Sequence, residues 1–154
     1  IKTLAIPLDD EIDLLEAYLY IQKLHLSGRV TFYIDVRKSF GSKDIKIPPL
    51  TIQPLVENSI QHGLKDKLEN GRVEVVIVEK TDYIEVMVSD NGSGFKETEI
   101  KKKQEKLQKT SIGLNNVRER LKLYYHQEDV MKIERIENMT RITLKLYKGD
   151  KMQI

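Results

Sequence analysis

The chain has 154 residues, 40% hydrophobic and 32% charged, with 26 Lys plus Arg against 24 Asp plus Glu and neither Cys nor Trp. That length supports one ordinary domain, able to bury about 70% of its unfolded surface without staples. The lack of cysteine excludes disulfides, thiol catalysis and cysteine-held zinc, and a net charge of +2 gives no global cationic field, so no nucleic-acid partner is expected.

Apolar stretches are broken by charge within a few residues and the N-terminus lacks a signal-peptide pattern, so a soluble, cytoplasmic location is expected. The chain starts at Ile1 and runs straight into a helical pattern, which reads as a piece excised from a longer polypeptide.

In chain order, "IPLDDEIDLLEAYLYIQKLHLSG" opens with Pro7 and the acidic Asp9, Asp10 and Glu11, a favourable helix start, and ends at Gly28. Its apolar residues form one stripe of Leu8, Ile12, Leu15 and Leu19 and another of Leu14, Tyr18 and Ile21. A helix striped on two sides is expected to pack on both, one side being a partner subunit. "RVTFYIDV" follows as a strand, then a Gly-Ser-Lys turn region and the Pro48-Pro49 break, and a helix is predicted from about Leu50 to Leu64. "RVEVVIVEKTDYIEVMVSDNG" reads as a β-hairpin turning near Lys80, Thr81 and Asp82. The tract from Lys96 to Lys109 holds six Lys and three Glu, and reads either as a solvated loop or as a patch that steers phosphate. "SIGLNNVRERLKLYY" sets Leu114, Val117, Leu121 and Tyr124 at helical spacing, and "VMKIERIENMTRITLKLYK" closes the chain as two strands around Asn138. The order predicts an α/β (α+β) two-layer sandwich, a mixed and largely antiparallel sheet covered on one face by three helices.

Three short motifs carry the candidate chemistry. In "SDNGSGF", the alternation that puts Ile84, Val86 and Val88 on one face also puts Asp90 there, a costly place for a carboxylate unless donors reach it. Ordinary turn chemistry explains the glycines; an adenine ring, whose exocyclic amine supplies donors and whose flat face passes close to backbone, explains both features. In "PLTIQPLVENSIQHGL", Ile52, Leu55, Val56 and Ile60 form the buried stripe and leave Glu57, Asn58, Gln61 and His62 on the others, with Asn58 and His62 four apart. This is either a wet helix face or a site where Asn58 offers a hard oxygen to Mg²⁺ and Glu57 accepts a proton or orders a water. In "SIGLNN", Gly113 lies at a helix start, which is a plain break or an exposed N–H cradle for phosphate.

"LVENSIQHG", "SDNGSGF" and "GLNN", in this order, resemble the N box and the two glycine boxes of the GHKL superfamily, the Bergerat ATP-binding fold of gyrase-type topoisomerases, the Hsp90 chaperone, mismatch-repair MutL and bacterial histidine kinases. "PPLTIQPLVENSIQHG" and "GLNNVRERL" look most like the LytS-like sensor histidine kinases, and "IPLDDEIDLLEAYLYIQKLHLSGRV" is similar to the segment that joins their phosphoacceptor and ATPase regions. The resemblance implies that residues 1–28 are a linker or dimerisation-type helix and residues 29–154 the ATP-binding catalytic domain.

It also implies roles. Asn58 holds Mg²⁺ on the ATP phosphates with Glu57 beside it. His62, Asp90, Gly92, Gly94 and Phe95 belong to the nucleotide site, Asp90 taking the adenine amine. Gly113, Leu114 and Asn116 start the phosphate-facing helix, and a lid spans about 95 to 112. The implied cofactors are ATP and Mg²⁺. The implied partners are an upstream phosphoacceptor histidine domain, a response regulator and a second subunit of a membrane-anchored sensor. None of His25, His62 or His126 lies in the "PHFLFN"-like acceptor sequence of that group, so the acceptor is expected upstream. The competing expectations are a GHKL ATPase clamp, which continues into a second domain, and a degenerate scaffold that no longer binds ATP.

Overall fold

The computed structural model describes residues 4–37, 45–65, 67, 69–92 and 112–148. Its elements are β1 (Ile6–Pro7), α1 (Leu8–His25), β2 (Val30–Arg37), β3 (Lys46–Ile47), α2 (Gln53–Asn58) continued by a wider turn (Ser59–Gly63), β4 (Gly71–Glu79), β5 (Tyr83–Asp90), α3 (Ile112–Tyr125), β6 (Met131–Ile136) and β7 (Met139–Tyr147). The predicted order is reproduced; the two-residue strands β1 and β3, which pair antiparallel, are an addition.

Period-two alternation of Val, Ile and Leu builds a five-stranded sheet in the order β2-β4-β5-β7-β6. Only β2 and β4 run parallel; the other three pairings are antiparallel. The two hairpins have local causes. Lys80 N–H donates to the Tyr83 carbonyl at 2.9 Å to close the first. Glu137 and Asn138 sit at φ 48° and 65° in the second, the left-handed pair that a two-residue turn between twisted strands requires.

One face of the sheet is apolar: Val73, Val75 and Ile77 of β4, Ile84, Val86 and Val88 of β5 and Ile142, Leu144 and Leu146 of β7 are all buried. They join one core with Leu8, Ile12, Leu15 and Leu19 of α1, Leu55 and Val56 of α2 and Leu114, Val117 and Leu121 of α3. The stripe of α3 ends on Tyr125, not on Tyr124, which is exposed, because the helix turns its last residue inward beside Tyr147. Of the second stripe on α1, Leu14 and Ile21 remain outside at 55% and 50% exposure, as does the nearby Leu24 at 62%, whereas Tyr18 is partly buried against the core.

α2 begins three residues later than predicted, and the cause is a carboxylate on another helix. Glu11, on the buried side of α1, accepts the N–H groups of Leu50 at 2.9 Å, Thr51 at 2.7 Å and Ile52 at 2.9 Å. Those donors are fixed in a bend ahead of the helix, with Leu50 at φ 55° and its carbonyl taken by Arg120 Nη2 of α3 at 2.6 Å. All three helices therefore meet at Leu50–Ile52. At the other end of α2, Leu64 N–H reaches the Ser59 carbonyl at 2.8 Å, five residues back. This π-type turn takes Asn58 and His62 out of the four-residue stacking expected of a regular helix and swings Gly63 toward β5.

Candidate functional site

Asp90 ends the central strand on the apolar face, as the alternation requires, and is only 2% exposed. It belongs to a row that crosses the sheet: Phe32, Val73, Asp90, Thr140 and Arg135 are successive partners on β2, β4, β5, β7 and β6. Directly opposite residues share a face, so the acid, the buried hydroxyl of Thr140 and the guanidinium of Arg135 all lie on the helix-covered side.

Among the described residues the Asp90 carboxylate receives one hydrogen bond, from Gly92 N–H to Oδ1 at 2.9 Å. An ionised carboxylate has about four acceptor positions, so most of its capacity is unspent. Burial pushes the Asp90 carboxyl above its ordinary 3.8, opposed by the Gly92 N–H, the adjacent Ser59 hydroxyl and the Arg135 charge. The Ser59 oxygen is itself buried and, although it faces the acid, makes no hydrogen bond of good geometry to any described residue. A buried acid with spare acceptor positions beside an orphaned hydroxyl fits a ligand that brings donors and a bridging water, as an adenine amine does.

Two glycines allow the chain to pass close to this acid. A Cβ built on Gly63 would lie 2.5 Å from Oδ1, 2.6 Å from Oδ2 and 2.7 Å from Cγ of Asp90, and one on Gly92 would fall on the Gly63 carbonyl. The loop after β5 is pinned from the other side: Asn91 Oδ1 accepts Arg72 N–H at 2.7 Å, and Asn91 Nδ2 donates to the Asn70 carbonyl at 2.9 Å. Arg135 Nη1 donates to the Gly92 carbonyl at 3.1 Å and to Thr140 Oγ1 at 3.0 Å.

The helix motif is brought to the same place. Ser59 and Gly63 touch Asp90, and Asn58, half-buried, precedes Ser59 at the end of α2. Glu57, also half-buried, accepts Gln53 Nε2 at 3.0 Å and faces α1. There, burial and then the Glu57 charge push the Tyr18 hydroxyl up to about 12. His62 is exposed. Gly113 lies in the first turn of α3 and is exposed, with open space where a Cβ would go; Leu114 is buried and anchors the turn, and Asn116 is exposed. α3 packs on α2. Gly94, Phe95 and all of the expected lid up to residue 111 lie outside the described residues.

Sequence reasoning missed four members of the constellation: Ser59, Gly63, Thr140 and Arg135. Arg135 was detectable, because it is two residues from Ile133 in a strand and so shares the apolar face, the mirror image of the Asp90 anomaly. Among the described residues no three His, Cys, Asp or Glu side chains converge as a metal site. Among the same residues no helix is long and apolar enough to cross a membrane.

This sheet, its three helices and a buried acid walled by glycines define a class. Residues 47–149, more than half the chain, match the histidine kinase-, DNA gyrase B- and HSP90-like ATPase family, and the chain belongs to it. Within that family its relatives are sensor kinases. The sensor protein LytS of Enterococcus faecalis is 33% identical over 140 residues, 86% of this chain and 23% of that protein. LytS of Oceanobacillus iheyensis is 39% identical over 92 residues, 60% of this chain and 15% of that protein. The chain therefore spans less than a quarter of the length of either relative. The fold is that of a histidine kinase catalytic domain: the nucleotide-free catalytic domain of the histidine kinase ThkA matches with a TM-score of 0.71 at 15% identity, covering 96% of this chain and 97% of that one. ThkA in complex with the response regulator TrrA matches at 0.63 and 18% identity, covering 95% and 42%.

Proposed function

We propose that this chain is the ATP-binding catalytic part of a two-component sensor histidine kinase, and that its site serves transfer of the γ-phosphoryl group to a histidine outside these residues, for relay to a response regulator. The observation that carries this reading is the buried Asp90 carboxylate, walled by Gly63 and Gly92, with acceptor capacity left over. Asp90 takes the amine of adenine. Asn58 holds Mg²⁺ against the phosphates, and the first turn of α3, with Gly113 and Asn116, faces them with free N–H groups. Glu57, tethered by Gln53, stands next to Asn58 to orient the acceptor or a water. ATP supplies the phosphoryl group when bound. The chain's own contribution is position and charge, which is most of what phosphoryl transfer asks of a protein.

Residues 1–28 serve in this reading as the joint to an upstream phosphoacceptor, on the cytoplasmic side of a membrane-anchored sensor, and as a subunit contact. The exposed stripe of Leu14, Ile21 and Leu24 supports the contact. So does the charge along α1, acidic in its first turn and basic at Lys23 and His25 in its last, since two antiparallel copies place unlike ends together.

Calorimetric titration with a non-hydrolysable ATP analogue, with and without Mg²⁺, tests the reading on wild type, Asp90→Asn and Asn58→Ala. Asp90→Asn is expected to abolish binding, and Asn58→Ala to remove chiefly the Mg²⁺-dependent part. Folded wild-type protein that binds no nucleotide would overturn it.

A further inference from the structure

We propose that Arg135 is a specificity-determining residue of the nucleotide site: by donating to Thr140 Oγ1 and to the Gly92 carbonyl, it fixes the Thr140 hydroxyl as a donor, so that Thr140 and Asp90 together accept adenine and reject guanine. This inference rests on the reading of Asp90 given above.

The geometry is a chain of three adjacent groups in one cross-sheet row. Thr140 stands between Asp90 and Arg135, opposite each in register. It is buried, and the hydrogen bond it makes is the one accepted from Arg135 Nη1 at 3.0 Å. No described residue accepts a hydrogen bond from its hydroxyl. A hydroxyl has one proton and two lone pairs. With a guanidinium donating to the oxygen, the proton turns away from the cation, and the oxygen becomes a poorer acceptor for a second N–H. Thr140 is thereby biased from ambivalent to donating.

Next to it, Asp90 accepts only. The row therefore offers an acceptor beside a donor, which is the complement of the adenine edge, where an exocyclic amine adjoins a bare ring nitrogen. The same edge of guanine carries a carbonyl beside a ring N–H. Its carbonyl would face the Asp90 carboxylate, and its N–H would face a hydroxyl already occupied by Arg135. The second Nη1 contact, to the Gly92 carbonyl at 3.1 Å, ties the glycine wall to the same cation, so wall and reading edge are set together. A site that leaves buried polar groups unpaired rejects the wrong ligand more strongly than one that merely fits it poorly.

The experiment is a pair of titrations, ATP and GTP with Mg²⁺, on wild type, Arg135→Met, Arg135→Lys, Thr140→Val and Asp90→Asn, each checked for folding by circular dichroism. Arg135→Met is expected to weaken ATP about tenfold and change GTP by no more than about twofold, narrowing the preference by the value of one lost hydrogen bond. Arg135→Lys, which keeps a cationic donor, should recover part of the preference, a rescue that a purely structural role does not predict. If Arg135→Met does not fold, Thr140→Val carries the test and must narrow the ratio alone. Equal loss of ATP and GTP, or an unchanged ratio in a folded variant, overturns the assignment. Binding that survives Asp90→Asn at full strength instead overturns the adenine placement itself, which separates failure of the site from failure of the arginine.

Discussion

Thr51 donates its backbone N–H to Glu11 Oε2 at 2.7 Å, across 40 residues of chain. The same carboxylate also takes Leu50 and Ile52, so one side chain of α1 holds the start of the helix that ends at Asn58. Glu11→Ala leaves three donors without that partner in a largely buried bend, and should cost about 3 kcal/mol or more. Denaturant midpoints would show it as a lower midpoint at unchanged slope; a loss under about 1 kcal/mol would mean that water replaces the carboxylate.

Gly63→Ala should disturb the site more than the fold. The added methyl would lie 2.5 Å from Asp90 Oδ1, so the acid or the π-type turn must shift. We expect destabilisation of about 1–3 kcal/mol, as for overpacking elsewhere, with loss of most nucleotide affinity. A variant that keeps wild-type affinity would show that Gly63 does not border the bound base.

The raised carboxyl of Asp90 gives stability a predictable dependence on pH. The folded protein holds this proton more tightly than the unfolded chain does, because burial disfavours the charge. The group's contribution is thus full below the unfolded value of about 3.8 and is lost as pH rises through the folded value. Unfolding midpoints of wild type and Asp90→Asn in the absence of nucleotide should lie close together in acid and separate toward neutrality, with the Asn variant more stable. A gap that does not change with pH would contradict this.

Replacing Leu14, Ile21 and Leu24 together by Gln should leave the core intact, since all three are exposed and the buried stripe of α1 is separate. If α1 is a subunit contact, sedimentation should show weaker self-association of a protein that includes the upstream region. Unchanged association would place the contact on other residues.

How far the sequence revealed the molecule depends on how local the cause was. The hairpins, the buried face of β5 and the inward acid follow from alternation and turn chemistry, and all were readable. The start of α2 was not, because Leu50 is kept out of the helix by Glu11, 39 residues earlier. The π-type turn was not either: nothing in "SIQHG" shows that Leu64 bonds to Ser59. At the site, Asp90 and Gly92 announced themselves within one motif. Thr140 and Arg135 reach Asp90 only through the pairing of β5 with β7 and of β7 with β6, which a linear reading does not align.

The placement of Asp90 on the middle strand has a consequence for motion. Its backbone is laddered on both sides, to β4 and to β7, so it should open to solvent exchange only when the whole sheet does. The wall that adjoins it, Asn58 to Gly63, is the end of a short helix and one wide turn, and the start of that helix is held by Glu11 of α1. In the proposed reading, a force arriving along α1 through Glu11 would shift the helix that ends at Asn58 while the strand that carries Asp90 stays laddered in the sheet.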